Sequence, residues 1–222
     1  MVNRMIIGST ERKFDNSRAD ILRFESRDPA FPLVVTYLTA LFGFVGLLEL
    51  YNPDEKGARP WAVTDVATFD GNLCNSRIIW SPHHVVEPMI CNAWPRFVEF
   101  EVFKADPIPT GRKLMLGVLE KYLFNLGQSL ITNFVEEYKH HLDSKYGKRS
   151  NWPPTWNFAR AIRNAMAHGG QIRIDDGAVV NWHNASYSKA DNGKLITDDV
   201  WPGDLLFLVK EMEREIAEIV PK

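Results

Sequence analysis

The residues best suited to chemistry lie in one short stretch, 156–168, which reads WNFARAIRNAMAH. Arg160, Asn164 and His168 follow one another at intervals of four residues, so a helix would align them in one polar stripe. An imidazole exchanges protons near neutral pH, and a guanidinium binds oxyanions through paired hydrogen bonds. These side chains therefore suit acid–base chemistry on an anionic substrate. Arg163 would lie about 140° around the helix from His168, so one helix does not direct both side chains at the same atom.

The stretch has the start and stop signals of a single helix. Pro153 and Pro154 cannot lie in a helix interior, and Thr155 can accept a hydrogen bond from the free amides of a first turn. Gly169 and Gly170 supply the left-handed conformation that ends helices. The apolar face would consist of Phe158, Ala159, Ile162, Ala165 and Met166. The polar stripe either faces solvent or a neighbour, or meets a second copy across a two-fold axis, which would place two arginines and two histidines around one cleft.

Arg163, Asn164 and His168 also carry a family resemblance. They match the pattern arginine, polar residue, three variable residues, histidine, and two glycines follow. This pattern resembles the signature of the HEPN superfamily, whose members are all-helical and include many metal-independent endoribonucleases with the motif at a dimer interface. The resemblance covers this short stretch strictly and the order of the predicted helices more loosely.

The resemblance implies a metal-independent endoribonuclease that cleaves RNA by attack of the 2′-hydroxyl at a dimer-interface site. Arg163 would stabilise the charge on phosphorus, His168 would move protons, and Asn164 would position one of them or the facing helix. The products would be a 2′,3′-cyclic phosphate and a 5′-hydroxyl. No cofactor and no metal ion are expected. The expected partners are a second copy of the chain, RNA and, for a toxin or antiviral effector, an antitoxin or regulatory protein. The alternative is a non-catalytic HEPN module that dimerises or binds a ligand.

A basic linker precedes the motif helix. Lys145, Lys148 and Arg149 stand close in sequence to Tyr146. Basic side chains bind backbone phosphates and aromatic rings stack on bases, so we predict that these three residues and Arg160 bind RNA. The same composition also occurs in ordinary exposed linkers.

The composition, 45% hydrophobic and 12% aromatic over 222 residues, is typical of a packed globular protein. A formal net charge of −2 excludes a surface that is basic throughout, so RNA would have to meet a local patch. Cys74 and Cys91 form neither a disulfide scaffold nor a metal-type cluster, which favours a reducing compartment.

Neither a secretory signal nor a membrane span is predicted. Residues 1–27 carry charges throughout and lack the apolar core of a signal. Residues 30–48 are uncharged, but they include Pro32 and Thr36, and no strong basic cluster flanks them. We therefore interpret 30–48 as a buried core helix and expect a cytoplasmic protein with no membrane contact.

Four segments show the apolar periodicity of helices. They are Phe31–Leu50, 112–142, the motif helix 156–168 and Leu205–Val220. The first is apolar on most sides, so it belongs at the centre of a bundle. After the motif helix, Gln171–Ile174 and Ala178–Trp182 flank Asp175-Asp176-Gly177, which is a strong signal for a β-hairpin.

Residues 53–110 differ from the rest, because prolines recur through them and no long helix fits. The candidate strands there are Arg77–Trp80 and Phe97–Phe103. His83, His84 and Cys91 could bind a metal in a hydrolase, but their spacing fits no common site, and we predict none.

The fold class predicted from these patterns is mainly α. We expect a HEPN-like helical bundle of about four main helices, with a β-hairpin after the motif helix and an irregular or β insertion at about 53–110. The whole chain, 1–222, is expected to be one such domain.

Overall fold

The computed structural model describes residues 2–51, 61–108, 118–175 and 177–220. A five-stranded mixed sheet packs against helices, and a two-stranded hairpin follows later in the chain. In chain order the elements are β1 (Val2–Ile7), β2 (Asp20–Glu25), α1 (Phe31–Tyr51), β3 (Asp65–Gly71), β4 (Ser76–Trp80), α2 (Pro82–Ile90), β5 (Phe97–Lys104), α3 (Val118–Tyr146), α4 (Pro154–Ala167), β6 (Val180–Trp182), β7 (Ala185–Tyr187) and α5 (Pro202–Ala217).

The predicted mainly α bundle is wrong, because the five-stranded sheet forms a full layer of the core. The strand order is β1-β3-β4-β5-β2, in which β1 runs parallel to β3 and the other neighbours are antiparallel. Phe69, Ile78, Trp80 and Phe100 lie on one face of the sheet and are at most 2% exposed. The helices α1, α2 and α5 contact the sheet.

The proline-rich segment is not an irregular insertion, which corrects the second part of the fold prediction. It supplies β3, β4 and β5, which are the three middle strands of the sheet. The candidate strands at Arg77–Trp80 and Phe97–Phe103 are confirmed as β4 and β5. The prolines do not interrupt these strands, since Pro82 begins α2 and Pro95 precedes β5.

The four predicted main helices are confirmed as α1, α3, α4 and α5, with bounds that differ by a few residues. The first six residues of the predicted helix 112–142 lie outside the described residues. None of the described helices combines the length and the apolar character that crossing a bilayer requires. The buried side chains of α1 include Val34, Val35, Leu38 and Leu41, all at 0% exposure.

A hairpin exists after α4, and the predicted arm Ala178–Trp182 contains its strand β6, but the arm predicted to pair with it, Gln171–Ile174, is wrong. The strands β6 and β7 pair through a turn at His183-Asn184, and His183 adopts a φ of 46°. The predicted first arm, Gln171–Ile174, instead bonds to the loop at 192–195: Ile172 N donates to Lys194 O at 2.8 Å. Asp176, in the predicted turn, lies outside the described residues.

The start of α5 fixes the helical layer to the sheet. A Cβ at Gly203 would lie 2.6 Å from the backbone nitrogen of Gly71, so only glycine permits this approach. The buried Asp204 carboxylate accepts hydrogen bonds from the backbone nitrogens of Asn72 at 2.9 Å and Cys74 at 3.0 Å. Burial raises the pKa of Asp204 to about 6.

Candidate functional site

The helix α4 is held by aromatic packing on two sides. Trp156 stacks on Phe134 of α3 with ring centroids 5.8 Å apart. Phe158 stacks on Trp182 at 5.1 Å and on Tyr187 at 5.7 Å, so the hairpin covers the other side. The predicted apolar face is confirmed, because every one of its members is buried. This packing fixes the rotation of α4 and therefore the direction of its polar stripe.

The ends of α4 agree with the sequence signals only in part. Pro153 is the N-cap residue, and Thr155 does not cap the helix. Its hydroxyl instead donates a hydrogen bond to Glu215 Oε1 of α5 at 2.8 Å. At the other end, Gly169 and Gly170 have φ values of 69° and 87°, which is the predicted left-handed termination.

The polar stripe of α4 forms one wall of a cavity of about 260 Å³, which we call the α4 cavity. Arg160, Asn164 and His168 line it from the helix. Arg173 and Asp175 line it from the segment that follows the helix. The four-residue spacing thus predicted correctly which side chains share one space. Among the described residues, a histidine, an amide and two guanidinium groups line this space with a single carboxylate.

Arg160 is a half-buried cation at the wall of the α4 cavity. Its Nε atom is buried with no hydrogen-bond partner among the described residues. Burial lowers the pKa of Arg160, the nearby Arg149 lowers it further, and Asp175 acts in the opposite sense. A partly desolvated cation at the wall of a cavity favours an anionic ligand there.

Arg163 lies on a different side of α4 and does not line the α4 cavity. Its Nη2 group binds Glu136 Oε1 of α3 at 2.7 Å, and Lys139 forms an ion pair with the same carboxylate. Its Nη1 group donates to Asn164 Oδ1 at 3.2 Å. Asn164 therefore connects the two predicted catalytic groups, because it contacts Arg163 and also lines the cavity with His168. The hydrogen bond from Lys139 holds the pKa of Glu136 below its ordinary value.

The predicted RNA-binding linker lies at the end of α3. Lys145, Lys148 and Arg149 are exposed, and none of them lines the α4 cavity. The Lys145 ammonium lies 5.5 Å from the ring of Tyr146, its neighbour in sequence. Arg149 is close enough to influence the pKa of Arg160, so it extends the positive potential of the cavity outward.

Sequence reasoning missed three residues of this region: Glu136, Arg173 and Asp175. Arg173 and Asp175 had a local signal, because they alternate with the buried Ile172 and Ile174 and are exposed. The sequence could not show that this edge faces α4. Glu136 had no local signal, since an exposed glutamate on a long helix usually meets only solvent.

Among the described residues, no group of three histidine, cysteine, aspartate or glutamate side chains is arranged to hold a metal ion. His83 instead bonds Glu87 one turn along α2 at 2.8 Å. Comparisons of the chain with protein-family models, with curated proteins and with solved structures found no match.

Proposed function

We propose that this chain is a metal-independent endoribonuclease of the HEPN type, which cleaves RNA at the α4 cavity by attack of the 2′-hydroxyl. The observation that carries the proposal is the meeting of His168 with Arg160, Asn164 and Arg173 around one open space. Among the residues described there, two guanidinium groups and one carboxylate lie beside a proton-transferring group, and cleavage of a phosphodiester uses such cations together with such a group.

In this mechanism the guanidinium groups of Arg160 and Arg173 bind non-bridging oxygens of the scissile phosphate. The neutral imidazole of His168 accepts the proton of the 2′-hydroxyl, whose oxygen attacks phosphorus. The bond to the 5′-oxygen breaks, and that oxygen takes up a proton. The products are a 2′,3′-cyclic phosphate and a 5′-hydroxyl. The proposed reaction requires no oxidant and no metal ion.

The proposal includes a homodimer, in which the α4 helices of two copies face each other. A second His168 would then protonate the leaving 5′-oxygen, and Arg163 of the facing copy would reach the phosphate. Two observations support this part. Arg163 and His168 lie on different sides of one helix, so two copies are needed to bring them together, and the Arg163 side chain is 39% exposed.

The cytoplasm is the compartment that fits this proposal, because RNA is available there and both Cys74 and Cys91 are free thiols. A nuclease active on cellular RNA would act as a toxin or antiviral effector and would need an antitoxin or regulatory protein.

The decisive experiment incubates the purified protein with total RNA in the presence of a chelator. We expect fragments that end in 2′,3′-cyclic phosphate. His168→Ala and Arg163→Ala should each abolish cleavage while the helical circular dichroism persists. His140→Ala is the matched control, since His140 is exposed on α3 and does not line the cavity. Full cleavage by the double variant would overturn the proposal.

A second candidate function is a non-catalytic module that dimerises or binds RNA without cleaving it. The observation that favours it is the ion pair of Arg163 with Glu136, which occupies the group that catalysis would need. This candidate predicts that wild-type protein shifts RNA in a gel but leaves it intact, and that His168→Ala binds as the wild type does.

A further inference from the structure

A second cavity, of about 540 Å³, lies against the sheet and is separate from the α4 cavity. Its volume is within the range of small-molecule sites. Ile79 and Glu101 line it and lie opposite each other in the register of β4 and β5. Their neighbours Ile78 and Phe100 are fully buried in the core, so Ile79 and Glu101 point to the other face. We call this space the outer cavity.

Two carboxylates belong to the wall that the sheet provides. Glu99 and Glu101 line the outer cavity, and they alternate along β5 with buried residues. Glu99 already has a partner, because Arg23 of β2 binds it at 3.1 Å. Glu101 forms no hydrogen bond or ion pair with any residue that the structure describes.

The aromatic side chains at the outer cavity are unusually exposed. Trp94 is 56% exposed and Phe97 is 39% exposed. The guanidinium of Arg23 lies 3.8 Å from the ring centre of Phe97 while it binds Glu99. The protein therefore already places one cation between an aromatic ring and a carboxylate at this site. Trp94 and Glu101 offer the same two chemical groups to a ligand.

Ser81 belongs to the same wall and is the N-cap residue of α2. Its side chain makes no capping hydrogen bond, and its Oγ atom is buried without a partner among the described residues. Because the protein covers that atom, it is not one of the groups that the cavity offers to a ligand. The other charged or titratable groups at the cavity are His84 and Arg96, which are both exposed.

We propose that the outer cavity binds a small organic cation, an amine or guanidine with a flat apolar body. The apolar body contacts Trp94, and the charge meets the carboxylate of Glu101. This site does not depend on the proposed nuclease activity, because none of its residues belongs to the α4 cavity.

The test uses three probes of similar shape: phenethylamine, 2-phenylethanol and phenylacetate. Binding to the full chain is measured by isothermal titration calorimetry. We expect saturable binding of phenethylamine at millimolar concentrations or below. The neutral alcohol should bind about tenfold more weakly, and phenylacetate should bind least.

Variants locate the site. Glu101→Gln should weaken the amine about tenfold and leave the alcohol unchanged, whereas Trp94→Ala should weaken both. Glu218→Gln, an exposed carboxylate on the turn after α5, is the matched control and should change neither. Circular dichroism of each variant checks that the fold persists.

Three results would overturn the proposal. The first is no saturable binding of the amine, and the second is equal binding of amine and alcohol. The third is preferred binding of phenylacetate with loss on Arg96→Gln, which would make the outer cavity an anion site.

Discussion

The molecule contains two groups of arginines that differ in how fully the protein provides hydrogen-bond acceptors for their guanidinium groups. At the sheet, Arg77 binds both oxygens of the fully buried Asp70, at 2.8 and 3.0 Å, and donates to Ser9 O at 2.6 Å. Arg12 beside them donates from Nη1 to the carbonyls of Gly71 and Ser76, both at 3.0 Å, although its Nη2 group has no partner among the described residues. Asp70 and backbone carbonyls therefore accept hydrogen bonds from most of the N–H groups of these two arginines.

At the α4 cavity, burial is only partial, and the described residues offer the cations fewer acceptors. Arg160 has no acceptor there for its Nε atom, and Arg173 and His168 line the same space with Asp175 as the one carboxylate that the structure describes. The comparison separates two uses of arginine. A paired guanidinium in the core holds strands together, while an unpaired one at a cavity marks a place where an external anion would lower the free energy.

The largest effect is expected for Asp70→Ala. This change leaves Arg77 and Arg12 buried without their carboxylate, so the free energy of unfolding should fall by roughly 3–5 kcal/mol. Urea denaturation measures the loss. Glu99→Ala, which removes an exposed ion pair with Arg23, should cost less than about 1 kcal/mol. Equal losses of unfolding free energy for the two variants would show that the buried arginines at the sheet stabilise the fold no more than an exposed ion pair does.

Arg160→Met tests whether the arginine at the α4 cavity serves RNA binding and not stability. We expect the affinity for a single-stranded RNA oligonucleotide to fall about tenfold, because a phosphate contact is lost. The free energy of unfolding should stay unchanged or rise, since the variant buries no unpartnered cation. Fluorescence anisotropy and urea denaturation give the two quantities. The exposed Arg214, changed to Met, is the control for net charge. A large loss of stability with unchanged RNA affinity would show that Arg160 stabilises the fold, as Arg77 and Arg12 do, and does not bind RNA.

Arg163 is an intermediate case, because it has a carboxylate partner, Glu136, but that partner is only half-buried. Glu136→Gln should weaken the ion pair that competes with phosphate and raise the affinity for RNA by about threefold. Glu137→Gln, which removes the same charge from the next position of α3, is the matched control. If both variants raise the affinity equally, only net charge matters and Arg163 does not contact RNA.

The smallest effect is expected at the hairpin turn, where His183 Nε2 lies 2.8 Å from Glu211 Oε1. The hydrogen bond to Glu211 raises the pKa of His183 in the folded state above the unfolded value of about 6.5. The stabilisation is therefore complete below that value and is lost as pH rises through the folded pKa.

Because the His183 side chain is 39% exposed, the pair should contribute only a few tenths of a kcal/mol. The measurement compares the free energy of unfolding of wild type and His183→Gln across pH 5–8. The difference between the two proteins should shrink as pH rises. A difference that is constant across this range would show that the charge of His183 plays no part.

The sequence predicted the local features well, for a physical reason. The stripe of Arg160, Asn164 and His168 depends only on helical spacing, and the end of α4 depends only on two adjacent glycines. The apolar run of α1 likewise predicted a helix, which the structure confirms, but only part of that helix is buried, since Pro32 and Thr36 are exposed.

The sheet was missed because β1 and β2 pair with strands far along the chain, and because β3 does not alternate between buried and exposed residues. The strand β3 is buried at all seven positions, and these include the polar Asp65, Thr68 and Asp70. A central strand that is covered on both faces loses the period of two. The neighbours of Arg163 and Arg160 were missed for a related reason. Tertiary packing alone brings Glu136 to Arg163 and places Arg173 at the cavity that Arg160 lines.

The carboxylate of Asp204 couples amide hydrogen exchange in the turn between β3 and β4 to the docking of α5. The amides of Asn72 and Cys74 belong to a turn between two strands, where amide protons would ordinarily be replaced by deuterium quickly. Both amides donate to a side chain of the last helix, so they become available to solvent only when that helix departs. Their protection in deuterium therefore reports how tightly residues 202–217 are docked on the sheet.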